Sequence, residues 1–128
     1  MNLSFIIPTL NEERTLLSNL IFLKRIRKYL NAELIVVDGG SHDSTVNIAK
    51  TLSCNVYISE PSRSKQFNLG AKHARGKYLV FLHADTILDN DAIDHLKKIK
   101  KNTQWGFFSI KIKSNNCKYK ILSALINI

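Results

Sequence analysis

The chain has 128 residues, enough for one domain with a proper core and too few for two ordinary ones. Its apolar share of 45% excludes a disordered polypeptide, and no apolar run approaches the length of a membrane span. With 19 Lys and Arg against 10 Asp and Glu, the formal charge of +9 favours anionic partners: nucleic acid, an acidic membrane surface or phosphorylated small molecules.

Taken in order, Leu3 to Ile7 reads as a first strand stopped by Pro8, with Thr9 and Asn11 as caps for a helix beginning near Glu12 and Glu13. Leu16, Leu17, Leu20, Leu23 and Ile26 recur at helical spacing and are expected to bury against a sheet. Glu33 to Val37 is a second buried strand, followed by Asp38-Gly39-Gly40-Ser41-His42-Asp43, where Ser41 or Asp43 would cap the next helix, Ser44 to Leu52. Asn55 to Ser59 is a short third strand. Lys65 to Ala74 reads as a helix ended by Gly76, and Tyr78 to Leu82 as a buried strand running into His83-Ala84-Asp85-Thr86. Asp89 to Lys101 is an amphipathic helix with Ile93, Leu96 and Ile99 inward. Phe107 to Lys113 alternates like a half-exposed strand, and a last helix begins at Tyr119.

This β-α-β-α-β-α-β-α-β order with short connections predicts an α/β fold: a mostly parallel, Rossmann-like sheet with helices on both faces. Ligands of such sheets bind outside the carboxyl ends of the strands, so the strand-end residues are the candidates. The first turn, Pro8 to Glu13, lacks the glycines of a dinucleotide fingerprint and offers carboxylates instead. Asp38 follows Val36-Val37, where an acid meets a nucleoside in doubly wound folds. Arg63, Lys65, Gln66 and Asn68 supply donors near a helix start, as a phosphate-rich ligand requires. Taken alone, each is also an ordinary helix start. Asp85 could ligate a divalent ion completed by phosphate oxygens and water, and His83, expected to project to the same side of the strand edge, would shift the choice towards manganese or another transition metal.

The runs FIIPTLNEE, ELIVVDGGSHDST and RSKQFNLGAKHARGKYLVFLHADT, then WGFFSIKI from Trp105, closely resemble the nucleotide-sugar-dependent glycosyltransferases of the GT-A fold. The subgroup is the bacterial family-2-type one that writes HADT where most relatives write two aspartates around one residue. The resemblance covers nearly the whole chain, and it implies a transferase that moves a sugar from a nucleotide diphosphate sugar, UDP- or GDP-linked, to an unknown acceptor. It implies that Pro8, Thr9, Leu10 and Glu12 line the nucleoside site and that Asp38 bonds the base, with Ser41 in the same turn. Arg63 and Gln66 match positions near base and diphosphate; Asp85, with His83 and Ala84 beside it, matches the catalytic metal-binding position for Mn or Mg.

Residues 1–113 are then expected to form the donor-binding domain and residues 114–128 the start of an acceptor-side segment. Ile128 falls inside an apolar helical pattern, so the chain reads as cut short, and the acidic motif of the family's acceptor side has no counterpart before it. The alternative is a catalytically inactive nucleotide-binding or interaction module. Cys54 and Cys117 show no metal-type spacing and read as reduced thiols. With no signal peptide evident, the expected setting is cytoplasmic, peripheral at the inner face of the membrane. Nucleic acid is not an expected partner, because the basic residues cluster at helix ends without interleaved aromatics. Apolar residues near Leu122, Leu125 and Ile126 suggest self-association into a homo-oligomer or binding of a partner.

Overall fold

A computed structural model describes residues 2–99, 102–106 and 108. The strand expected at 107–113, the helix expected from Tyr119, the segment 114–128 and the apolar residues suggested for self-association lie outside the described residues. The chain divides into two compact units, Met1–Leu88 and Asp89–Ile128.

In the first unit strands and helices alternate: β1 (Leu3–Thr9), α1 (Glu13–Leu30), β2 (Ala32–Asp38), α2 (Thr45–Thr51), β3 (Asn55–Ile58), α3 (Arg63–His73) and β4 (Tyr78–Phe81). The sheet is parallel throughout, in the order β3-β2-β1-β4. The chain therefore winds outward from β1 in one direction, returns, and continues on the other side. With right-handed crossovers, α1 and α2 cover one face and α3 the other. The expected parallel α/β architecture is what the structure has.

β1 and β2 are buried over almost their whole length because helices cover both faces, which is why they read as uninterrupted apolar runs. Leu16, Leu20 and Leu23 of α1 are fully buried, whereas Leu17 is 46% exposed and points away from the sheet. α3 lies so close to the sheet that a Cβ on Gly70 would stand 2.4 Å from Ile6 Cγ2. At the amino edge, Glu33 is buried and accepts bonds from Ser4 Oγ at 2.6 Å and the Arg75 backbone N–H at 2.6 Å. It thus ties β1, β2 and the α3–β4 connection together.

Several boundaries differ from expectation. β1 runs through Pro8, which pairs with Val37. Ile6 O faces β4, accepting from Leu82 N, so the N–H that Pro8 lacks would point the same way, beyond the last β4 residue. The β1–β2 ladder loses no bond, and the strand continues alongside β2. α3 ends at Ala74, in an extended conformation, and Gly76 is not its terminator. A Cβ on Gly76 would stand 2.4 Å from the Leu3 carbonyl carbon, so this glycine is required by close backbone approach. β4, like β3, is an edge strand among the described residues, and only Val80 of it is buried; Leu79 and Phe81 are exposed.

The second unit contains α4 (Asn90–Lys97), shorter than the helix expected to Lys101. Asp89 caps it, accepting from Ala92 N at 2.8 Å, and Ile93 and Leu96 are buried.

Candidate functional site: a cleft at the carboxyl edge of the sheet

In a parallel sheet every strand ends, and every following helix begins, at the same edge. A cleft of about 310 Å³ opens there. Pro8, Thr9, Leu10 and Glu12 line it from the end of β1; Pro61, Arg63 and Gln66 from the start of α3; His83, Ala84 and Asp85 from the segment after β4. Nine of the eleven positions singled out from the sequence thus meet around one space. Asp38 and Ser41 are not among the lining residues.

Asp38 is fully buried. One carboxylate oxygen accepts from Thr9 Oγ1 at 2.9 Å and Ser41 Oγ at 2.5 Å, the other from the N–H groups of Gly40 at 2.9 Å and Ser41 at 2.7 Å. Four donors fill the lone pairs of a carboxylate, so Asp38 braces the turn after β2 against the end of β1.

The loops that follow β1 and β2 are stitched together by residues the sequence suggests as helix caps. Asn11, at φ 53°, donates its N–H to Ser41 Oγ at 2.8 Å and accepts from His42 N at 2.9 Å. Glu12 N donates to Thr45 Oγ1, Glu13 N to Asp43 Oδ2, and Ser44 N to Glu13 Oε2. The caps of α1 and α2 are instead Glu12 and Ser44, neither of which makes a side-chain capping bond. Asp43 also accepts from the Thr45 hydroxyl, which holds its carboxyl below the usual carboxylate range.

Gln66 is buried, and its Nε2 donates to the carbonyls of Thr9 at 2.9 Å and Val37 at 2.8 Å. Both amide protons are spent on the ends of β1 and β2, which leaves only Oε1 for a ligand. Arg63 is exposed and forms no ion pair among the described residues. Pro61 also lines the cleft; a Cβ on Gly39 would stand 3.0 Å from Pro61 Cα, so the glycine lets the two loops touch.

His83 and Asp85 stand on a turn, not on a strand edge as expected. The last ladder bond is Leu82 N to Ile6 O, after which Thr86 N closes a turn onto His83 O at 3.1 Å. Ala84 is buried while His83 and Asp85 on either side are exposed. The His83 ring centroid lies 5.9 Å from that of Phe67 on α3, which borders it without bonding either nitrogen. Among the described residues up to Leu88, Asp85 is the one carboxylate with no hydrogen-bond or ion-pair partner. No cluster of three metal-ligating side chains occurs among the described residues. The donor set here is one carboxylate and one imidazole facing a cleft, which suits a cation whose remaining ligands are phosphate oxygens and water.

Sequence reasoning missed Asn19. It lies on the buried face of α1, and its Nδ2 donates to Ala84 O at 3.0 Å. A polar residue within the stripe Leu16, Leu20, Leu23 was the available signal.

Sheet order and the edge cleft define a doubly wound α/β domain with a cleft at the strand ends, where such folds bind ligands. Residues 4–119 match Glycosyl transferase family 2, and the chain belongs to that family. It is 31% identical over 111 residues to a poly-β-1,6-N-acetyl-D-glucosamine synthase of Staphylococcus epidermidis, covering 81% of this chain and 27% of that protein. Among solved structures, Staphylococcus aureus TarS 1–349 in complex with UDP-GlcNAc superposes with a TM-score of 0.57 at 27% identity, covering 66% of this chain and 27% of that one. Glucosyl-3-phosphoglycerate synthase from Mycobacterium tuberculosis, in complex with manganese, UDP and glucosyl-3-phosphoglycerate, gives a TM-score of 0.55 at 26% identity, covering 67% and 34%. The fold is that of the GT-A glycosyltransferases. The chain spans 27% of the length of the first of these relatives.

Proposed function

We propose that the cleft binds a nucleoside diphosphate sugar, UDP- or GDP-linked, and that the full-length protein transfers its sugar to an acceptor hydroxyl. The observation that carries this reading is the unpartnered Asp85 carboxylate across from Arg63, with the end of β1 between them as the nucleoside wall. The complexes of relatives with UDP-GlcNAc, and with manganese and UDP, support the same ligand class.

Pro8 and Leu10 offer an apolar surface to the base, and Glu12 an acceptor to ribose hydroxyls. Arg63 supplies a planar set of donors for phosphate oxygens. Ser62, the residue before α3, makes no side-chain capping bond, so first-turn N–H groups of α3 remain open to the same anion. Asp38 reaches a base only if the base N–H replaces one of its present donors; of its two hydroxyl donors, Ser41 is less buried than Thr9 and is the one a base would displace. His83 and Asp85 would hold the divalent ion, which when bound supplies charge neutralisation for the departing diphosphate. In the transfer itself the acceptor oxygen bonds to the anomeric carbon as the bond to the diphosphate oxygen breaks; the electron pair leaves with the diphosphate, and the acceptor's proton passes to a base of the full-length protein.

A thermal-shift panel of UDP, GDP, CDP and ADP with manganese tests the reading. A rise in Tm with UDP or GDP is expected, and a flat response to all four contradicts it. The charge of +9 supports docking on anionic lipid, the surface that an inner membrane face presents. Co-sedimentation with phosphatidylserine vesicles but not phosphatidylcholine vesicles is expected; equal binding to both contradicts it.

A further inference from the structure

We infer that Asn19 is a positioning residue for the His83–Asp85 turn: its side-chain amide, donated from α1, sets the presentation of the two side chains that would hold the donor's metal. This rests on the nucleotide-sugar reading above. Asn19 is 4% exposed and sits among leucines on the face that α1 turns to the sheet. Its Nδ2 donates to Ala84 O at 3.0 Å and lies 3.5 Å from His83 O, so one amide serves the peptide groups on both sides of Ala84. The opposite amide orientation would set Oδ1 against two carbonyl oxygens, so the hydrogen bonding fixes the assignment.

Packing does not account for this residue. Asn19 Oδ1 is buried with no hydrogen-bond partner among the described residues, an unfavourable arrangement that a leucine would avoid. What the amide provides is a tie across 65 residues to one turn. The buried Ala84 methyl and the Asn19 bond anchor the middle of that turn, while His83 and Asp85 on either side face the cleft. The Thr86 N–H bond to His83 O closes the turn from within, and the Asn19 bond ties it to α1. Groups that orient metal ligands in this way contribute to affinity without touching the metal.

The test is calorimetric titration of UDP into the 128-residue chain, with manganese and separately with EDTA, for wild type and for Asn19→Leu, Asn19→Ala and Asn19→Gln. The two variants without a donor are expected to lose about ten- to hundredfold in affinity with manganese and to match wild type in EDTA. Asn19→Gln, which keeps the donor, is expected to recover part of the manganese effect. A merely structural role would weaken binding equally in both buffers, and that result overturns the assignment. If Asn19→Leu does not fold, Asn19→Ala is read by the same ratio. A wild-type chain with no manganese enhancement would overturn the donor-site reading itself, and this assignment with it. Wild-type enhancement that persists in both donor-less variants overturns the Asn19 assignment alone.

Discussion

Gln66 on α3 donates its side-chain amide to the Thr9 carbonyl at the end of β1, 2.9 Å away and 57 positions earlier in the chain. The second proton of the same amide goes to Val37 O at 2.8 Å. One side chain therefore clamps together the ends of β1 and β2 beside the cleft. Gln66→Leu leaves both carbonyls unpaired and is expected to cost about 1–3 kcal/mol. Gln66→Glu is expected to cost more at pH 7, because it sets a buried carboxylate against two carbonyl oxygens. Burial would raise the folded pKa of that carboxyl above its unfolded value of about 4.3. The excess cost is then absent below that pH and grows as pH rises through it. Urea denaturation at pH 4 and pH 7 checks this; equal stability of the two variants at pH 7 would contradict it.

Gly70 shows which of two opposed effects wins. Ala is a better helix former than Gly by about 1 kcal/mol, so Gly70→Ala would stabilise an exposed helix. Here the new methyl would stand 2.4 Å from Ile6 Cγ2 and 3.2 Å from Val37 Cγ2, in a sheet that cannot retreat. Overpacking costs about 1–3 kcal/mol, and net destabilisation is expected. In a double-mutant cycle with Ile6→Ala, which removes the clashing methyl, the two changes should be less than additive. Additivity would show that the helix moves aside.

Cys54 supplies a pH-dependent prediction. Burial pushes its thiol pKa from 9.0 up to about 11, against an opposing pull from Arg27 and Lys24. In a Cys117→Ser background, roughly a thousandth of the Cys54 thiol is ionised at pH 8, so disulfide reagents should react far more slowly than with a free cysteine. The unfolded thiol releases its proton near pH 9 while the folded one holds it to about 11. Its contribution to stability is therefore present below pH 9 and lost between pH 9 and 11. Labelling at the rate of free cysteine would contradict this.

Much of the fold was legible because β1 and β2 are buried on both faces, which forces uninterrupted apolar runs between polar turns. What the sequence does not display is direction. The missing N–H of Pro8 points past the end of β4 and does no harm, yet sequence alone reads Pro8 as a stop. The cleft was legible to the extent that strand-end residues must converge at one edge of a parallel sheet. The uses of individual atoms were not. Asp38 looks available to a ligand in the sequence, whereas its oxygens are already filled by Thr9, Gly40 and Ser41. Asn19 and Pro61 gave no local pattern, because what each contacts lies far along the chain or across a loop.

The central claim is that Asp85, with no partner of its own, holds the metal side of a nucleotide-sugar donor. Titration of UDP with manganese into wild type, Asp85→Ala and the surface control Asp94→Ala tests it most directly. Asp94 is exposed, bonded to Lys97 on α4, and not among the residues that line the cleft. The account predicts tight manganese-dependent binding by wild type and the control, and loss of that dependence in Asp85→Ala with its melting temperature nearly unchanged. Manganese-dependent binding of equal strength in all three proteins would contradict it.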